Sequence, residues 1–540
     1  MTRVRATLCA AALFLVAAPA RAQDPASFFL RAAIDQGSLP LSRYPDFTTL
    51  RPFLDSLYRA RGDEPVWDRR DGYGEIAHAA VVALRASAER GLLPRDYDVA
   101  LLDSIAEAGP DPDPFRRSER DLLLTLAVFR YLRDLRDGRI AVTPFVRLKT
   151  EVPIPTDVAL LTRAAAGTPI EQLAQEVEPH LAQYRNLLAQ LGVYRKLVDT
   201  FRLRPLAAGV VRPGARYAGT RELRRRLVAL RDLPADAPQA GGRYDTVLVE
   251  GVKRFQARHG LIADGVLGAG TRAALNTSPA TRVRQIVLAL ERLRWLPPLD
   301  GPRLLVVNIP AFELFAFDSI GGMGTPVLRM PVVIGDSFDH RTPVMLQPLQ
   351  TVQFRPFWNV PRTILLKEIL PLVRADSLYL RKARMEVVVR DSAIGDTVNA
   401  VILRRLEQGR YRVRQRPGPW NALGLTKFSF PNRADIYLHG TPDTLAFRRA
   451  RRDLSHGCIR VRDPAGLAEW VLQGANGWTR PAIDSARAGT ADTIRAEVTI
   501  PTSVLIFYTT AVASPDGQIW FYNDIYGHDR PLQAALARRR

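Results

Sequence analysis

The residues best suited to chemistry lie in two short segments of the C-terminal third of the chain. The first contains His439, and the second is the run Ser-His-Gly-Cys-Ile-Arg over residues 455–460. A thiol becomes a strong nucleophile only when it loses its proton, and a neighbouring imidazole is a common proton acceptor near neutral pH. Cys458 and His439 are therefore candidates for nucleophilic catalysis, provided that the fold brings the two segments together.

Both segments alternate apolar and polar residues with a period of two, which predicts short β-strands. The apolar residues of each strand would face the core. The opposite face would carry Tyr437, His439, Cys458, Arg460 and Arg462. A phenol, an imidazole, a thiol and two guanidinium groups could therefore meet on one surface.

The neighbours of the cysteine suggest further roles. The backbone N–H groups of Gly457 and Cys458 lie in a predicted tight turn, where they could stabilise an oxyanion, and Gly457 has no Cβ to obstruct a substrate. The guanidinium of Arg460 could bind a substrate carboxylate as a fork. Arg462 is equally well explained as a solvated charge on an edge strand.

A zinc site is the alternative use of the same residues. His439, His456 and Cys458 are suitable ligand types, but no fourth ligand is evident and no pair has the close spacing typical of structural zinc sites. We therefore expect neither a metal ion nor a cofactor.

Length and charge limit the class of protein. A chain of 540 residues is too long for one core, so about three domains are expected. The formal charge is +21, and the basic residues are almost all arginine, a bias that codon preference can explain. An anionic partner would also suit this charge, but no basic run interleaved with aromatic residues supports nucleic-acid binding.

The N-terminus has the pattern of a signal peptide over residues 1–22. Residues 2–5 are basic, residues 6–18 are apolar but too short to span a bilayer, and Ala-Arg-Ala at 20–22 fits a cleavage site. Cleavage would remove Cys9 and leave Cys458 as the only cysteine of an exported, periplasmic protein without a membrane span. A lone cysteine in an oxidising compartment is either an intermolecular bridge or a reactive thiol.

The pattern of elements predicts a multidomain α+β protein. Helical periodicity dominates the first part of the chain, strands dominate from residue 303, and a weakly patterned stretch that opens with a helix at 364–372 interrupts the strands. Gly138 is expected to end a helix, Thr271 to cap a short helix, and Asp463 to cap a helix that begins at Pro464. The predicted regions are a helical scaffold at 23–210, a small three-helix module at 211–279, a linker helix at 280–302, a β-rich domain at 303–475 with an insertion at 355–425, and a C-terminal extension at 476–540. In the extension, the runs at 504–508 and 518–522 are expected to form a β-hairpin around a turn at 515–517.

The small module resembles the peptidoglycan-binding type 1 domain. That family has a Phe-Gln helix, a His-Gly-Leu turn, an Asp-Gly-x-x-Gly turn and a final Thr-x-x-Ala-Leu-Asn helix. The corresponding residues here are Phe255-Gln256, His259-Gly260-Leu261, Asp264-Gly265 with Gly268, and Thr271 with Ala274-Leu275-Asn276. The resemblance implies peptidoglycan as a partner, although such modules also serve as spacers. His259 is expected to pack in the turn.

The two chemical segments resemble the catalytic motif of the L,D-transpeptidases, the YkuD-type domain. Fifteen residues separate His439 from Ser455, and Ser-His-Gly-Cys follows. Shorter members have Asn two residues after the cysteine, where this chain has Arg460. The order of regions is similar to the larger YcbB-type periplasmic members, in which the insertion is a capping region, and the resemblance includes Trp-Asn-Val-Pro at 358–361.

The resemblance implies roles for eight residues. Cys458 would be the nucleophile, His439 its general base, His456 an orienting residue, and Gly457 a backbone contributor to the oxyanion hole. Substrate contacts are expected at Arg460, Tyr437, Trp358 and Asn359.

The implied reaction is acyl transfer in peptidoglycan biosynthesis, which maintains the cell wall and cell shape. Cys458 would attack the bond between the diamino acid at stem position three and the terminal D-alanine, release D-alanine and form a thioester. The side-chain amine of a second stem would then complete a cross-link between the third residues. Acylation of the cysteine by carbapenems is also expected.

Other functions use parts of the same sequence. An L,D-carboxypeptidase or another Cys-His wall peptidase would pass the acyl group to water, although in papain-type families the cysteine precedes the histidine. A non-catalytic peptidoglycan-binding protein would need only the module. The sequence leaves the main role open between cross-linking, protein anchoring and D-amino-acid exchange.

Overall fold

The computed structural model describes residues 24–140, 148, 154–238, 241–299, 301–319, 325–475, 477–490 and 493–538. The predicted signal peptide and Cys9 lie outside these residues and stay predictions. Within the described part of the chain, no helix is both long and apolar enough to cross a membrane.

The N-terminal region is helical, as predicted, around one long buried helix. This helix, α5, begins after Asp113, whose side chain accepts a hydrogen bond from the N–H of Phe115, and it ends before Gly138. A two-stranded ribbon, β1 (Asp68–Arg69) and β2 (Gly72–Tyr73), packs beside it. The helices are α1 (Ala26–Gln36), α2 (Arg51–Arg59), α3 (Glu75–Arg85), α4 (Val99–Ala108), α5 (Pro114–Asp137), α6 (Ile154–Ala165), α7 (Ile170–Val177) and α8 (Ala182–Thr200).

The small module contains three helices around its own core, as its resemblance implied. They are α9 (Thr220–Ala229), α10 (Thr246–Arg258) and α11 (Ala269–Leu275). The buried amide of Gln256 joins the glycine-rich turn to α11, because it donates to Asp264 at 2.9 Å and Thr271 at 3.1 Å and accepts from the N–H of Gly265 at 2.8 Å. The module is followed by α12 (Pro279–Arg294), which Ser278 caps.

The strand-rich region is built on one curled sheet of eleven strands, the main sheet, in the order β16-β7-β12-β13-β15-β5-β4-β3-β17-β6, with β14 beside β5. Its first five strands precede the insertion: β3 (Arg303–Asn308), β4 (Glu313–Phe317), β5 (Leu328–Gly335), β6 (Met345–Pro348) and β7 (Thr351–Phe354).

The inserted segment forms a separate α/β layer with its own apolar core. The sequence predicted its first helix, which contains a π-helical turn at Leu365–Ile369, but not its four-stranded sheet in the order β10-β9-β11-β8. The elements are β8 (Trp358–Asn359), α13 (Arg362–Ile364), α14 (Leu370–Ala375), α15 (Tyr379–Lys382), β9 (Met385–Val389), β10 (Ser392–Gly395), α16 (Ala400–Glu407) and β11 (Arg412–Gln415). We call this layer the cap.

After the cap the chain returns to the main sheet. Asp463 caps the first helix of this part through the N–H of Gly466, as its position before Pro464 predicted. The elements are β12 (Thr426–Ser429), β13 (Leu438–His439), β14 (Asp453–Ser455), β15 (Ile459–Val461), α17 (Pro464–Leu472), α18 (Arg480–Ala488), β16 (Ile494–Glu497) and β17 (Thr502–Phe507).

The C-terminal segment differs from the prediction in one respect. The run at 504–508 was expected to form a hairpin with 518–522, but β17 lies inside the main sheet, parallel to β3 and antiparallel to β6. Its side chains are nearly all buried, which is typical of a central strand. The hairpin consists instead of β18 (Ala511–Ala513) and β19 (Ile519–Phe521), before α19 (Asp529–Ala537). The predicted extension thus contributes a strand to the main sheet.

Candidate active site

The two chemical segments are neighbouring parallel strands. In the register of β13 and β15, Leu438 faces Ile459 and His439 faces Arg460. The N–H of Ile459 donates to the carbonyl of Tyr437 at 3.0 Å, which places Tyr437 beside Cys458. Leu438 and Ile459 are fully buried. The predicted alternation is therefore confirmed, and the polar residues share one face.

This face forms one wall of a cleft of about 730 Å³, and the cap forms the other. Most of the predicted site residues line this cleft. The strands and turns of the main sheet contribute five of them, and β8 of the cap contributes two: Tyr437, His439, His456, Cys458, Arg460, Trp358 and Asn359. Arg462 is exposed outside the cleft, which agrees with its interpretation as a solvated charge.

The turn before Cys458 is held by hydrogen bonds on both sides. Gly457 has φ of +108°, a conformation that disfavours any residue with a Cβ. Its carbonyl accepts from Thr342 Oγ1 at 2.8 Å, and its N–H donates to Ser455 Oγ at 3.2 Å. Ser455 Oγ in turn donates to the carbonyl of Cys458. The turn therefore holds Cys458 at the edge of the cleft.

The thiol of Cys458 is free and sits in a partly apolar environment. Its Sγ donates to the carbonyl of Asp435 at 3.4 Å. Burial raises the pKa of the thiol, and hydrogen bonds from Tyr437 and the charge of Lys427 offset only part of that rise. The resting thiol is therefore protonated near neutral pH.

The imidazole of His439 is buried and neutral. Burial lowers its pKa to about 3, and the positive charges of Arg460 and Lys427 act in the same direction. Nδ1 lies 2.6 Å from the carbonyl of Gly440. A carbonyl can only accept a hydrogen bond, so Nδ1 carries the proton and Nε2 keeps a lone pair that can accept one.

Lys427 is a site residue that the sequence analysis did not single out. In the antiparallel pair of β12 and β13 it lies opposite His439. Because Arg460 faces His439 from the other side, the imidazole sits between two cations in one row across three strands. The ammonium of Lys427 lies 4.0 Å from the ring centre of Tyr437. Polar and apolar residues alternate over 427–430, which puts Lys427 on the polar face of a strand. Only the pairing of β12 with β13 shows that this face lines the cleft.

A second contact missed by the sequence analysis joins the cap to the catalytic turn. Glu368, in the π-helical turn of the cap, lies with Oε1 2.7 Å from Nε2 of His456. The His456 ring also packs against His340 at 4.6 Å between centres, and Nδ1 of His340 lies 2.6 Å from Asp336. The two rings are tilted by 60° to each other, and each imidazole of the pair has its own carboxylate.

The alternative use of His439, His456 and Cys458 was as ligands of a zinc ion. Among the residues that the structure describes, no group of three or more His, Cys, Asp or Glu side chains is arranged to hold a metal ion. The expectation that no metal ion is bound stays a prediction.

Residues 302–483 match the YkuD family, described as the L,D-transpeptidase catalytic domain. This segment is similar to L,D-transpeptidase catalytic domains. Residues 216–275 match a family described as "Putative peptidoglycan binding domain", which supports peptidoglycan as a partner. Residues 52–191 match a family described as "Scaffold domain".

One relative of this protein comes from Haemophilus influenzae and is named "Putative L,D-transpeptidase". The two sequences are 32% identical over 260 residues, which is 48% of this chain and 51% of the relative. The match therefore spans about half the length of that protein. The resemblances stated from sequence and the predicted fold class are confirmed: a helical N-terminal region, a peptidoglycan-binding module and a β-rich L,D-transpeptidase domain.

Proposed function

We propose that the protein is an exported L,D-transpeptidase that joins the third residues of two peptidoglycan stems. The observation that carries this proposal is the shared face of β13 and β15, where Cys458 and His439 line one cleft within the matched catalytic domain. The peptidoglycan-binding module supports a wall substrate and hence a periplasmic or other extracytoplasmic location.

The first half-reaction forms a thioester. The Sγ of Cys458 attacks the carbonyl between the diamino acid and D-alanine, while Nε2 of His439 takes the thiol proton. The oxygen of the tetrahedral intermediate needs N–H donors. The N–H of Gly457 already donates to Ser455, so the N–H of Cys458 carries the larger share. Collapse breaks the C–N bond, and the protonated His439 gives its proton to the departing D-alanine amine.

The second half-reaction transfers the acyl group. The side-chain amine of a second stem attacks the thioester, and His439 accepts a proton from that amine. The C–S bond breaks, and the thiolate of Cys458 recovers a proton from His439. The product is an amide between two third residues, and the resting pair of neutral thiol and neutral imidazole is restored.

The remaining predicted residues have positioning roles in this proposal. His456 orients the turn and, through Glu368, joins it to the cap. Arg460 forms no ion pair among the described residues and is therefore available for a substrate carboxylate. Tyr437, Trp358 and Asn359 supply the walls along which the stem peptide lies.

The test is mass analysis of tetrapeptide muropeptides incubated with the purified protein and with Cys458→Ala. We expect dimers with a third-to-third link, released D-alanine, and a transient protein adduct, all absent in the variant. Tripeptide without dimer would indicate an L,D-carboxypeptidase, and unchanged muropeptides that still bind the protein would indicate a non-catalytic binding protein. A carbapenem should give a stable mass increase on the wild type and none on Cys458→Ala.

A further inference from the structure

One cation of the cleft has no function in the reaction described above. Lys427 lies in the middle of β12, half-buried, with its side chain directed into the cleft beside Tyr437. It is one of only six lysines among 76 basic residues. No carboxylate in the described ranges forms an ion pair with it, and the charge of Asp435 acts on it only from a longer distance.

An unpaired ammonium in a partly buried position is costly, and burial accordingly lowers the pKa of Lys427. Two buried cations among the described residues outside the cleft do have carboxylate partners. Arg258 is paired with Asp232, and Arg226 is paired with Glu222 while also donating to a backbone carbonyl. Lys427 instead faces an open cavity next to the nucleophile. A cation held in this way is suited to an anionic ligand.

The donor stem supplies a carboxylate at a matching place. The carboxylate of the terminal D-alanine is separated from the scissile carbonyl carbon by only the amide nitrogen and one Cα, so the two carbons lie within about 4 Å of each other. The cation that binds it must therefore lie close to Cys458. Lys427 meets this condition, because it contacts Tyr437, the strand neighbour of Cys458, and its charge acts on the thiol.

We propose that Lys427 binds the terminal carboxylate of the donor stem and thereby selects donors in which a single residue follows the scissile bond. This inference rests on the proposed function and adds a specificity residue to it. A stem with one more residue would place an amide where the ammonium requires a negative charge. The lysine ammonium is a compact charge at the end of a flexible side chain, and it does not hold a carboxylate in a rigid fork as arginine does. It therefore suits a carboxylate that must leave with its amino acid.

Docking of this carboxylate would also help the chemistry. His439 lies between Lys427 and Arg460, and both cations oppose its protonation. A carboxylate bound to Lys427 neutralises one of them at the moment when His439 must accept the thiol proton. Binding of the correct donor would therefore favour the proton transfer that starts the reaction.

The test compares three donors on the wild type, Lys427→Met and Lys427→Arg. The donors are the tetrapeptide stem, the same stem with a terminal carboxamide, and the stem with one additional D-alanine. The readout is kcat/KM for release of the leaving group, which is D-alanine, D-alanine amide or the D-alanyl-D-alanine dipeptide for the three donors. A charge-assisted hydrogen bond predicts a preference for the free tetrapeptide of about 10- to 100-fold in the wild type. Lys427→Met should reduce that ratio to about one, and Lys427→Arg should retain most of it.

The ratio separates specificity from structural damage. Loss of rate on all three donors with an unchanged ratio would mean that Lys427 only maintains the fold, and a wild type without preference would also overturn the inference. If Lys427→Met does not fold, as judged by its melting curve, Lys427→Gln provides the uncharged comparison. A wild type that releases nothing from any donor would refute the proposed function itself and this inference with it.

Discussion

Two buried histidines of this protein have nearly the same local geometry but different surroundings. In the peptidoglycan-binding module, Nδ1 of His259 lies 2.7 Å from the carbonyl of Phe255. In the main sheet, Nδ1 of His439 lies 2.6 Å from the carbonyl of Gly440. Burial lowers the pKa of both imidazoles, and a neighbouring arginine charge contributes in each case. Both rings are therefore neutral, with one nitrogen fixed by the backbone.

The difference lies in what surrounds the rest of each ring. His259 stacks on Phe255 at 3.8 Å and lies against Phe521 of the C-terminal hairpin, so it fills an interface between the module and the catalytic region. His439 lines the cleft that also contains Cys458, between two cations without ion-pair partners in the described residues. A neutral buried imidazole is thus not a catalytic feature by itself. The proposed role of His439 depends on the open cleft, the thiol and the two cations beside it.

The same substitution at both positions provides the strongest test of this comparison. His439→Gln should reduce the rate of thioester formation by about 10²- to 10⁴-fold, the usual contribution of a positioned general base. The measurement is the time course of acyl-enzyme formation by intact-protein mass analysis. Protein stability should change little in comparison, and a variant that acylates at more than a tenth of the wild-type rate would contradict the assignment of His439 as the base.

The pH dependence of the thiol gives the next largest effect. Because burial raises the pKa of Cys458 and His439 is neutral above pH of about 3, no thiolate–imidazolium pair exists in the resting protein. The thiolate fraction then increases about tenfold for each pH unit below the thiol pKa. Alkylation by iodoacetamide should accordingly become about 100-fold faster between pH 6 and pH 8.

The control for this measurement is His439→Gln, whose alkylation should have the same slope over that range. A plateau near neutral pH in the wild type that disappears in the variant would show a preformed ion pair. In that case the contrast with His259 would be one of charge as well as of surroundings.

A smaller effect is expected where a third histidine meets the cap. Glu368→Gln keeps a hydrogen bond to His456 but removes the charge of a partly exposed pair, which contributes about 0.2–1 kcal/mol. We expect KM for the donor to increase about two- to fivefold with little change in kcat, because the cap closes less firmly over the cleft. Glu407→Gln is the matched control, since Glu407 pairs with Arg374 wholly within the cap. Equal KM changes in both variants would refute a specific role for Glu368.

Local pattern predicted most of the elements that form the site. The alternation at 436–439 and 458–462 gave the correct inward and outward faces, and Asp463 and Gly138 marked the ends of helices correctly. These features depend on residues close together in the chain, so a single sequence contains the necessary information.

The site residues that the sequence did not predict depend on contacts between segments that are distant in the chain. Lys427 joins the site because β12 lies beside β13, and Glu368 joins it because a π-helical turn directs the cap helix toward His456. The sheet of the cap was missed because its strands are only two to five residues long. Thr271 was expected to cap a helix, but α11 begins earlier and its hydroxyl donates to Val266 instead.

The smallest effect on activity is expected at His259, which completes the comparison. His259→Gln replaces an aromatic ring in a stacked, fully buried position, so it should lower the free energy of unfolding by about 1–3 kcal/mol. The rate of thioester formation should stay within about twofold of the wild type, because His259 lines no part of the catalytic cleft. Thermal unfolding and acylation kinetics on the same preparation measure both quantities. If acylation instead decreased as strongly as in His439→Gln, the packing of the module against the C-terminal hairpin would control the activity of the cleft. Both histidines would then be needed for the reaction, and they would differ only in their distance from it.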